Sequence, residues 1–442
     1  MPKIIFIQPT QYESGGKGLC KQKKINLPGL VFPLLAAMTP KRWEIKVLIE
    51  VVDEINFDEP CDIVGIGTMG HAIFRGIEIA DEFKKRGRTV VMGGYMASMV
   101  PQMLLERGID SVLVGDAEKS WPALLDDFET TGKLKPIYDN PVDDLSGLPI
   151  PRYDLLTAKN IGPMLPVQAG RGCPHLCSFC SIACIYRGKY LTRPIDEVMR
   201  DIYRVKELGF KRFYLIDDNI VGQPGYLEEL VSRIKPLGMK WSSQCSLNLA
   251  RNERLLRLVA QSGCEILSFG IESITQEGLD KLNKKWVRVS EHEELLRRIT
   301  AAGIMPSTEM MLGTDSDTVE SIKATYDFVM RAKIPIPRFY ILTPMPGSEL
   351  YDEFKKSGRL LHEDYRRYDG TTCVHRPALI EPDVLTEMYW WINSKVFSMP
   401  SILKRTVLNP AIVQNAGSHL FALAVNLHYR RYIIKHVTPN IF

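Results

Sequence analysis

Short apolar segments alternate with amphipathic helical segments along this 442-residue chain, and this alternation limits its fold more than any other feature. In the first third, four apolar runs are typical of buried strands, at residues 3–8, 62–67, 89–94 and 110–115. Helical patterns lie between them, at 73–86 and 120–129. Apolar strands separated by helices indicate a parallel sheet covered on both faces. We therefore predict a doubly wound α/β domain over residues 1–135, followed by a Pro-, Asp- and Gly-rich linker over 136–160.

A second strand–helix series follows the predicted linker. Strands are predicted at residues 164–169, 212–216, 241–246, 266–271, 307–312 and 338–343. Helices are predicted at residues 195–208, 226–235, 252–261, 291–302 and 318–332. Six strand–helix units indicate a partial TIM-type (β/α)6 barrel over residues 161–350, and in such barrels the chemistry takes place at the carboxyl ends of the strands. Residues 351–442 are predicted to form a helical C-terminal segment.

The charge balance and the cysteine content exclude several classes of protein. Lys and Arg number 56 against 52 Asp and Glu, and a net charge of +4 does not suit a strongly basic nucleic-acid-binding protein. Residues 401–442 hold five Lys or Arg and no Asp or Glu, so the rest of the chain carries a net charge of −1. Nine cysteines, and an N-terminus without the pattern of a secretory signal, predict a reducing cytoplasmic environment.

Three cysteines lie close together in a glycine-rich loop after the first barrel strand. The loop reads Gly170-Arg171-Gly172-Cys173-Pro174-His175-Leu176-Cys177-Ser178-Phe179-Cys180, a C-x3-C-x2-C pattern. Thiolates suit an iron–sulfur cluster or zinc, but a structural zinc site normally needs four ligands in two pairs, and no second pair has that spacing. Three ligands on a four-iron cluster leave one iron open for a substrate, which favours catalysis. With Cys184 as a fourth ligand, the loop would suit a non-enzymatic electron carrier or sensor.

This loop resembles the signature of the radical S-adenosylmethionine (SAM) superfamily, with an aromatic residue, Phe179, before the last cysteine. The strand order agrees with that superfamily along residues 163–350. The resemblance implies that Cys173, Cys177 and Cys180 hold a 4Fe–4S cluster whose open iron binds the amino and carboxylate groups of SAM. It also implies reduction by a partner such as flavodoxin or ferredoxin. SAM is then cleaved to methionine and a 5′-deoxyadenosyl radical, which abstracts a hydrogen atom from the substrate.

Polar motifs at two strand ends match the same superfamily. The resemblance implies that Asp217, Asp218 and Asn219 receive the ammonium group of SAM, since acceptors at a strand end suit a cation. Asp and Asn at this place also suit a helix cap or a turn. The resemblance further implies that Gly270 and Glu272, in a G-x-E-S element, lie near the ribose and amino-acid groups of SAM. A structural carboxylate that closes a turn is the alternative.

Two later motifs extend the resemblance. Gly313, after Met311 and Leu312, resembles the element that passes the adenine of SAM. The segment 343–348 (TPMPGS) resembles the T-P-x-P-G-[ST] turn of related enzymes. Arg193 also fits the superfamily pattern, although an arginine there is more often a solvated charge.

The doubly wound domain before the barrel resembles the cobalamin-binding-domain subgroup, which includes class B methyltransferases and the anaerobic Mg-protoporphyrin monomethyl ester cyclase. Gly93 and Gly94 follow a strand and suit close approach of the backbone to a large ligand. Cobalamin domains with a histidine lower ligand have D-x-H-x-x-G after the first strand, whereas residues 10–16 contain no histidine. Cobalamin could bind without a lower protein ligand, or the domain has lost the cofactor, and the sequence leaves both alternatives open.

Residues 416–436 combine an apolar run with a basic cluster. The run is too short to span a bilayer. As a helix it would pack on the barrel with its cations solvated, or lie at a bilayer interface with its arginines at the headgroups. The second alternative would place a cytoplasmic protein at the periphery of the inner membrane.

Taken with the resemblance, these observations predict an enzyme that activates a C–H bond of a small hydrophobic biosynthetic intermediate. Relatives of this architecture act on tetrapyrroles, such as bacteriochlorophyll precursors, and on hopanoids or other lipids. The outcome would be oxidation, ring formation or methylation, and a cobalamin-dependent radical SAM C-methyltransferase is the alternative if the first domain binds that cofactor. Nucleic acid is not an expected partner.

Overall fold

The structure is a computed structural model that describes residues 1–13 and 18–437. Ser14, Gly15 and Gly16, which belong to the turn predicted to lack a histidine ligand, lie outside the described residues. The strands are β1 Lys3–Gln8, β2 Glu44–Ile49, β3 Ile63–Gly67, β4 Thr89–Gly93, β5 Ser111–Leu113, β6 Ile137–Tyr138, β7 Met164–Val167, β8 Gly170–Gly172, β9 Tyr190–Thr192, β10 Arg212–Leu215, β11 Lys240–Cys245, β12 Cys264–Glu272, β13 Met305–Leu312 and β14 Ile336–Ile341.

The α-helices occupy most of the remaining chain. They are α1 Val31–Met38, α2 Ile73–Lys84, α3 Tyr95–Met99, α4 Pro101–Glu106, α5 Ala117–Thr131, α6 Asp154–Thr157, α7 Ser181–Tyr186, α8 Ile195–Glu207, α9 Pro224–Ile234, α10 Glu253–Gln261, α11 Gln276–Lys281, α12 His292–Ala301, α13 Val319–Arg331, α14 Glu349–Lys356, α15 Pro382–Val396, α16 Met399–Arg405 and α17 Ala416–Ile433.

The described chain divides into two compact units. Unit 1 comprises residues 1–166 and 364–369, and unit 2 comprises residues 167–363 and 370–437. Residues 136–160, predicted as a linker, lie in unit 1 and contain β6 and α6. Most of the helical segment predicted after residue 350 lies in unit 2.

Unit 1 is built on a six-stranded sheet in the order β2-β1-β3-β4-β5-β6, and all its strand pairs are parallel. The residues of β1 from Ile4 to Ile7 are all buried, which requires cover on both faces of the sheet. Phe6 stacks on Phe32, with 5.0 Å between ring centroids. The predicted doubly wound fold is confirmed, with β2 and β6 as additional edge strands. The strand order reverses between β1 and β3, and sheets of this kind bind ligands at the carboxyl edge beside such a switch point.

Unit 2 is built on a parallel six-stranded sheet in the order β14-β13-β12-β11-β10-β7. Its edge strands are β7 and β14, so the sheet forms a partial barrel, as predicted. Side chains alternate along its strands: Phe213, Phe269 and Phe339 are fully buried, whereas Glu309 and Arg338 are half-buried. One face of the sheet is therefore apolar, and the other face lines an interior that is partly open.

Arg405 in α16 is one of the five basic residues of the segment 401–442, but it does not lie at the surface. Its guanidinium is fully buried and donates to the carbonyls of Ile334, Pro335 and Val396 and to Asn426 Oδ1 at 2.8–3.1 Å. Burial lowers the pKa of Arg405 to about 9. This cation therefore belongs to the core of unit 2 and not to the surface charge of the tail. Among the described residues, no helix has the length and apolarity needed to cross a bilayer.

Acidification is expected to destabilise unit 2 through His292, which begins α12. His292 is fully buried, neither ring nitrogen has a hydrogen-bond partner among the described residues, and burial lowers its pKa to about 4. Because an unfolded histidine has a pKa near 6.5, its contribution is complete above that pH and is lost as the pH falls toward 4, with a slope of up to about 1.4 kcal/mol per pH unit. Denaturant titrations at several pH values should show a smaller loss of unfolding free energy for His292→Leu. An unchanged slope would contradict the prediction.

Candidate active site

The loop that carries the three cysteines is fixed by later parts of unit 2. It comes directly after β8 and lies between the two strands of the antiparallel β8–β9 pair. The Ser178 amide donates to the Leu282 carbonyl at 3.1 Å, and the Ser178 carbonyl accepts from the Leu350 amide at 3.0 Å. Asn283 Nδ2 donates to the Leu176 carbonyl at 2.6 Å. The segments after α11 and at the start of α14 therefore set the path of the cysteine loop.

The three thiols are partly removed from solvent. Cys177 is buried, and Cys173 and Cys180 are half-buried. Burial raises the pKa of Cys177 to about 12 and that of Cys180 to about 11, whereas coordination to iron deprotonates such thiols outright. Asn219 Nδ2 lies 3.5 Å from Cys173 Sγ, and hydrogen bonds of this kind to ligand sulfurs tune iron–sulfur clusters.

The donor set fits a 4Fe–4S cluster better than a single ion. Across residues 1–13 and 18–437, no three His, Cys, Asp or Glu side chains converge closely enough to hold one metal ion. In a four-iron cluster each thiolate binds a different iron, so the three sulfurs need not converge as the ligands of zinc do. Cys184, the proposed fourth ligand of an electron carrier, directs its thiol to the Cys180 carbonyl at 3.2 Å. Phe179 packs against an apolar cluster formed by Leu282, Leu342, Leu350 and Phe354.

The acidic segment after β10 holds the start of the cysteine loop. Asp217 Oδ1 accepts from the Ala169 amide at 2.8 Å, and Asp218 Oδ2 accepts from the Gly172 amide at 2.8 Å. Asp217 is buried, and burial raises its pKa to about 7. Asn219 contacts the cluster ligand described above. These three residues thus lie beside the cysteines, and their predicted contact with the SAM ammonium group stays a prediction.

A buried ion pair lies at the end of β12. Glu272 has a φ of +61°, and its Oε1 accepts from Lys284 Nζ at 2.8 Å. Burial raises the pKa of Glu272, while the Lys284 ammonium opposes that shift. The same ammonium donates to the Gly270 carbonyl at 2.8 Å and lies 5.4 Å from the centre of the Trp286 ring. Trp286 stacks on His175 of the cysteine loop at 3.6 Å. The predicted residues Gly270 and Glu272 are therefore linked to the cysteine loop through Lys284 and Trp286.

Substituting Gly270 is expected to disturb this pair and weaken SAM binding. A Cβ at residue 270 would lie 2.1 Å from Glu272 Oε1, so Gly270→Ala must displace the carboxylate. Overpacking of this kind costs about 1–3 kcal/mol, and a displaced carboxylate that loses this much interaction with SAM would weaken its binding by about 5- to 160-fold. Anaerobic equilibrium dialysis of SAM against the reconstituted protein measures the effect. Gly225→Ala is the matched control, because a Cβ there meets no atom within 4 Å. Equal SAM affinity in both variants would remove Glu272 from the predicted SAM site.

The turn after β13 is held by residues from far along the chain. Gly313 has a φ of +94°, and a Cβ there would lie 2.4 Å from Leu385 of α15. Its amide donates to Asp317 Oδ2 at 2.9 Å, and its carbonyl lies 3.1 Å from His375 Nε2. Burial lowers the pKa of His375 to about 4, so the ring is neutral at pH 7 and can donate from Nε2. The helical C-terminal segment therefore positions the turn that is predicted to pass the adenine.

A polar cluster lines the interior of the partial barrel. Arg338 Nη2 donates to Glu309 Oε1 at 2.5 Å and to Ser268 Oγ at 2.7 Å. Burial alone would lower the pKa of Arg338, but the facing carboxylate raises it, so the guanidinium stays charged. Its Nε has no hydrogen-bond partner among the described residues. Burial raises the pKa of Tyr214 to about 12 and also raises the pKa of Tyr340, while the nearby Arg338 cation opposes both shifts. The interior thus combines aromatic rings with a half-buried cation that retains a free donor.

The carboxyl edge of the unit 1 sheet is open around two loops. Gly94 has a φ of +97°, and a Cβ there would lie 2.5 Å from the Thr68 carbonyl, so its close approach is to the protein backbone. Thr68 donates its amide to the Gly93 carbonyl at 2.9 Å. Beyond these contacts, Met69 is 72% exposed, and a Cβ at Gly115 would meet no atom within 4 Å. An exposed apolar side chain after β3 and open glycine backbone after β5, at the same edge of the sheet, fit a large, flat cofactor such as cobalamin.

Known proteins identify the family. The profile of the Radical SAM superfamily matches residues 167–329, which run from the end of β7 into α13 of unit 2. The bacteriochlorophyllide d C-12(1)-methyltransferase of Chlorobaculum tepidum is 30% identical over 416 residues, which cover 91% of this chain and 89% of that relative. The chain belongs to the radical SAM superfamily. The bacteriochlorophyllide d C-8(2)-methyltransferase of the same organism is also 30% identical to this radical SAM protein, over 85% of this chain and 87% of the relative.

Solved structures agree with the fold. The cobalamin-dependent SAM radical enzyme OxsB, with aqua-cobalamin and SAM bound, superposes on this radical SAM protein with a TM-score of 0.71 at 13% identity. The match covers 100% of this chain and 73% of that chain. The predicted superfamily, its cobalamin-domain subgroup and the two-part architecture are confirmed. The protein is an enzyme that uses a 4Fe–4S cluster and SAM, which displaces the electron-carrier alternative.

Several residues around this site were not predicted from the sequence. They are Lys284, which pairs with Glu272; Asp317 and His375, which hold Gly313; and the Glu309–Arg338 pair. Only the last had a usable signal. Glu309 and Arg338 are direct partners in the β13–β14 register, so two charges at matching places in neighbouring predicted strands could have been noticed.

Proposed function

We propose that this chain is a cobalamin-dependent radical SAM C-methyltransferase that methylates a bacteriochlorophyllide-type tetrapyrrole. The observation that carries the proposal is the pair of relatives named as bacteriochlorophyllide d methyltransferases, each 30% identical across nearly the whole chain. Because the similarity extends over unit 1 as well as unit 2, it covers both the cofactor domain and the barrel.

The residues present support the two cofactors that this reaction needs. Cys173, Cys177 and Cys180 would hold the cluster, and the unit 1 edge with Met69 and Gly115 would hold cobalamin. When bound, the cluster supplies the electron that cleaves SAM, and cobalamin supplies the carrier for the methyl group. The chain's own contribution is to hold the thiols in one loop and to keep them partly removed from solvent.

The barrel interior supports a flat substrate with an acidic group. Aromatic rings such as Tyr214 and Tyr340 present surfaces on which a macrocycle can stack. Arg338 retains an Nε donor, and a charge-assisted bond from a guanidinium is the strongest contact that a side chain makes to a carboxylate. A chlorophyllide carries a free propionate on a flat ring, so both of its features have a complementary group here.

The proposed substrate also bears on where the enzyme works. An apolar tetrapyrrole partitions into membranes. The proposed function therefore places a cytoplasmic enzyme at the periphery of a bilayer, from which it would take its substrate.

The test is an anaerobic reaction of the reconstituted full-length protein. Iron and cobalt are measured first, and then SAM, a low-potential reductant or reduced flavodoxin, and bacteriochlorophyllide d are added. The proposal expects stoichiometric cobalamin, 5′-deoxyadenosine, S-adenosylhomocysteine and a product heavier by one CH₂ group. A product lighter by two hydrogens, formed without cobalamin, would replace methylation with oxidation or ring closure. Formation of 5′-deoxyadenosine without any change in the tetrapyrrole would reject the substrate class.

A further inference from the structure

Helix α17 buries a mixed face and leaves large apolar side chains exposed on another face. The buried face holds Ala422 and Ile433 as well as Asn426, whose Nδ2 donates to the Pro335 carbonyl at 2.9 Å. A helix on the surface of a soluble domain normally keeps its apolar stripe toward the core and polar residues toward water. The exposed Leu420 and Phe421 depart from that arrangement.

The outer side of α17 is a continuous stripe. Leu420, Ala424, Leu427 and Arg431 follow one another at spacings of three or four residues, which places them on one face of the helix. Leu420 is 56% exposed, and its neighbour Phe421 is 48% exposed. We call this stripe with Phe421 the outer face.

Further exposed apolar residues lie just before and just after α17 in the chain. The turn of 3-10 helix at Pro410–Val413 contacts α17, and Val413 is 86% exposed. Leu408, just before that turn, is 69% exposed, and Ile434, just after α17, is 63% exposed. Isolated exposed apolar residues need no explanation, but several within one segment of about 30 residues mark an interaction surface.

Cations lie at one end of the outer face, and no acid lies near them in sequence. Arg431 and Lys435 are exposed, and neither has an ion-pair partner in the part of the chain that the structure describes. Residues 401–442 contain no Asp or Glu. Arg405 is buried in the core, so the exposed charge of this segment is concentrated at Lys404, Arg431 and Lys435.

We propose that the outer face of α17 binds the surface of an anionic lipid bilayer, with the helix lying in the plane of the interface. An apolar stripe that inserts between headgroups, next to Lys and Arg that meet anionic lipids, has the composition of interfacial helices. A second copy of the chain is the less suitable occupant, because its own α17 segment would bring the same cations and no acid to neutralise them.

Vesicle flotation of the full-length reconstituted protein tests this proposal without any measurement of catalysis. Vesicles contain either phosphatidylcholine alone or phosphatidylcholine with phosphatidylglycerol. Binding to the anionic vesicles is expected to be at least about tenfold tighter and to weaken with added salt, because a surface cation contributes about fivefold. The double variants L420S/F421S and R431E/K435E are each expected to lose about tenfold or more in affinity for anionic vesicles.

Matched controls separate this surface from general effects of polarity and charge. Leu379→Ser changes a leucine that is 61% exposed elsewhere in unit 2, and K211E/K356E reverses two exposed lysines. Both controls should bind anionic vesicles about as wild type does, and all four variants should melt at the wild-type temperature. Absence of vesicle binding by the wild type, or unchanged binding by L420S/F421S, would overturn the proposal. Concentration-dependent dimerisation that L420S/F421S abolishes would assign the face to a second copy instead. Failure of tetrapyrrole methylation leaves these outcomes unaffected.

Discussion

Replacing Cys177 with alanine is expected to abolish the iron–sulfur cluster and with it the formation of 5′-deoxyadenosine. Cys177 is the most buried of the three loop cysteines, so water or an added thiol cannot easily take its place as a ligand. Substitutions in the outer shell of a metal site typically cost about 10–100-fold in affinity or activity, and loss of a direct ligand is expected to cost more. Anaerobic reconstitution followed by iron analysis, electron paramagnetic resonance of the reduced protein and assay of 5′-deoxyadenosine measures the effect.

Cys184→Ala is the matched control for this experiment. Cys184 lies one helical turn after Cys180, and its thiol contacts only the Cys180 carbonyl among the hydrogen-bond partners that the structure describes. The C184A protein is therefore expected to keep its iron content and its rate of SAM cleavage. A cluster that survives in Cys177→Ala, or one that is lost in Cys184→Ala, would contradict the assignment of the ligands.

Replacing Arg405 with methionine is expected to lower the unfolding free energy of unit 2 by about 1–3 kcal/mol for each buried acceptor that it leaves unsatisfied. The guanidinium is fully buried and satisfies three backbone carbonyls and the side chain of Asn426. Methionine fills a similar volume but donates no hydrogen bond, so these acceptors would be left buried and unsatisfied. Chemical denaturation followed by circular dichroism measures the change.

Lys404→Met provides the control from the adjacent position. Lys404 is exposed on the same helix, and surface substitutions usually change stability by no more than about 0.5 kcal/mol. Arg405→Lys keeps the positive charge but loses the planar fork of donors, so its stability should lie between those of wild type and Arg405→Met. Equal unfolding midpoints for the Arg405→Met and Lys404→Met proteins would show that the hydrogen bonds from Arg405 to the three carbonyls contribute little to stability.

The local sequence pattern was sufficient to predict most of the fold. All six barrel strands were predicted because short extended segments alternate there with amphipathic helical patterns, and the cysteine loop was predicted from its spacing and flanking glycines. Strand β2 was missed because Glu44 and Lys46 place charges in its first half. Strand β6 has two residues, which is too short for any periodicity. The β8–β9 hairpin was missed for the same reason.

Contacts between distant parts of the chain could not be predicted in this way. His375 meets the Gly313 carbonyl across 62 positions of sequence, and Arg405 meets Ile334 across 71. Such pairs depend on how helices dock on the sheet, which a local pattern does not encode. Arg193 is a second example, because an arginine at such a position is usually solvated. This one is 3% exposed and forms an ion pair with Asp201 at 2.9 Å. The orientation of α17 could not be predicted either, because its sequence was compatible both with packing on the barrel and with lying at a bilayer interface.

The anchoring of the cysteine loop has a consequence for how the enzyme matures. The contacts that set the path of the loop include backbone hydrogen bonds to Leu282 and Leu350, which lie more than 100 positions later in the chain. A nascent chain that has emerged only as far as its third cysteine lacks these contacts, because domains fold as units once their sequence is complete. Iron and sulfide must therefore be inserted after translation of the barrel, into a folded apoprotein that holds the thiols in place. A cellular cluster-assembly system would therefore deliver the cluster to the folded protein and not to the nascent chain.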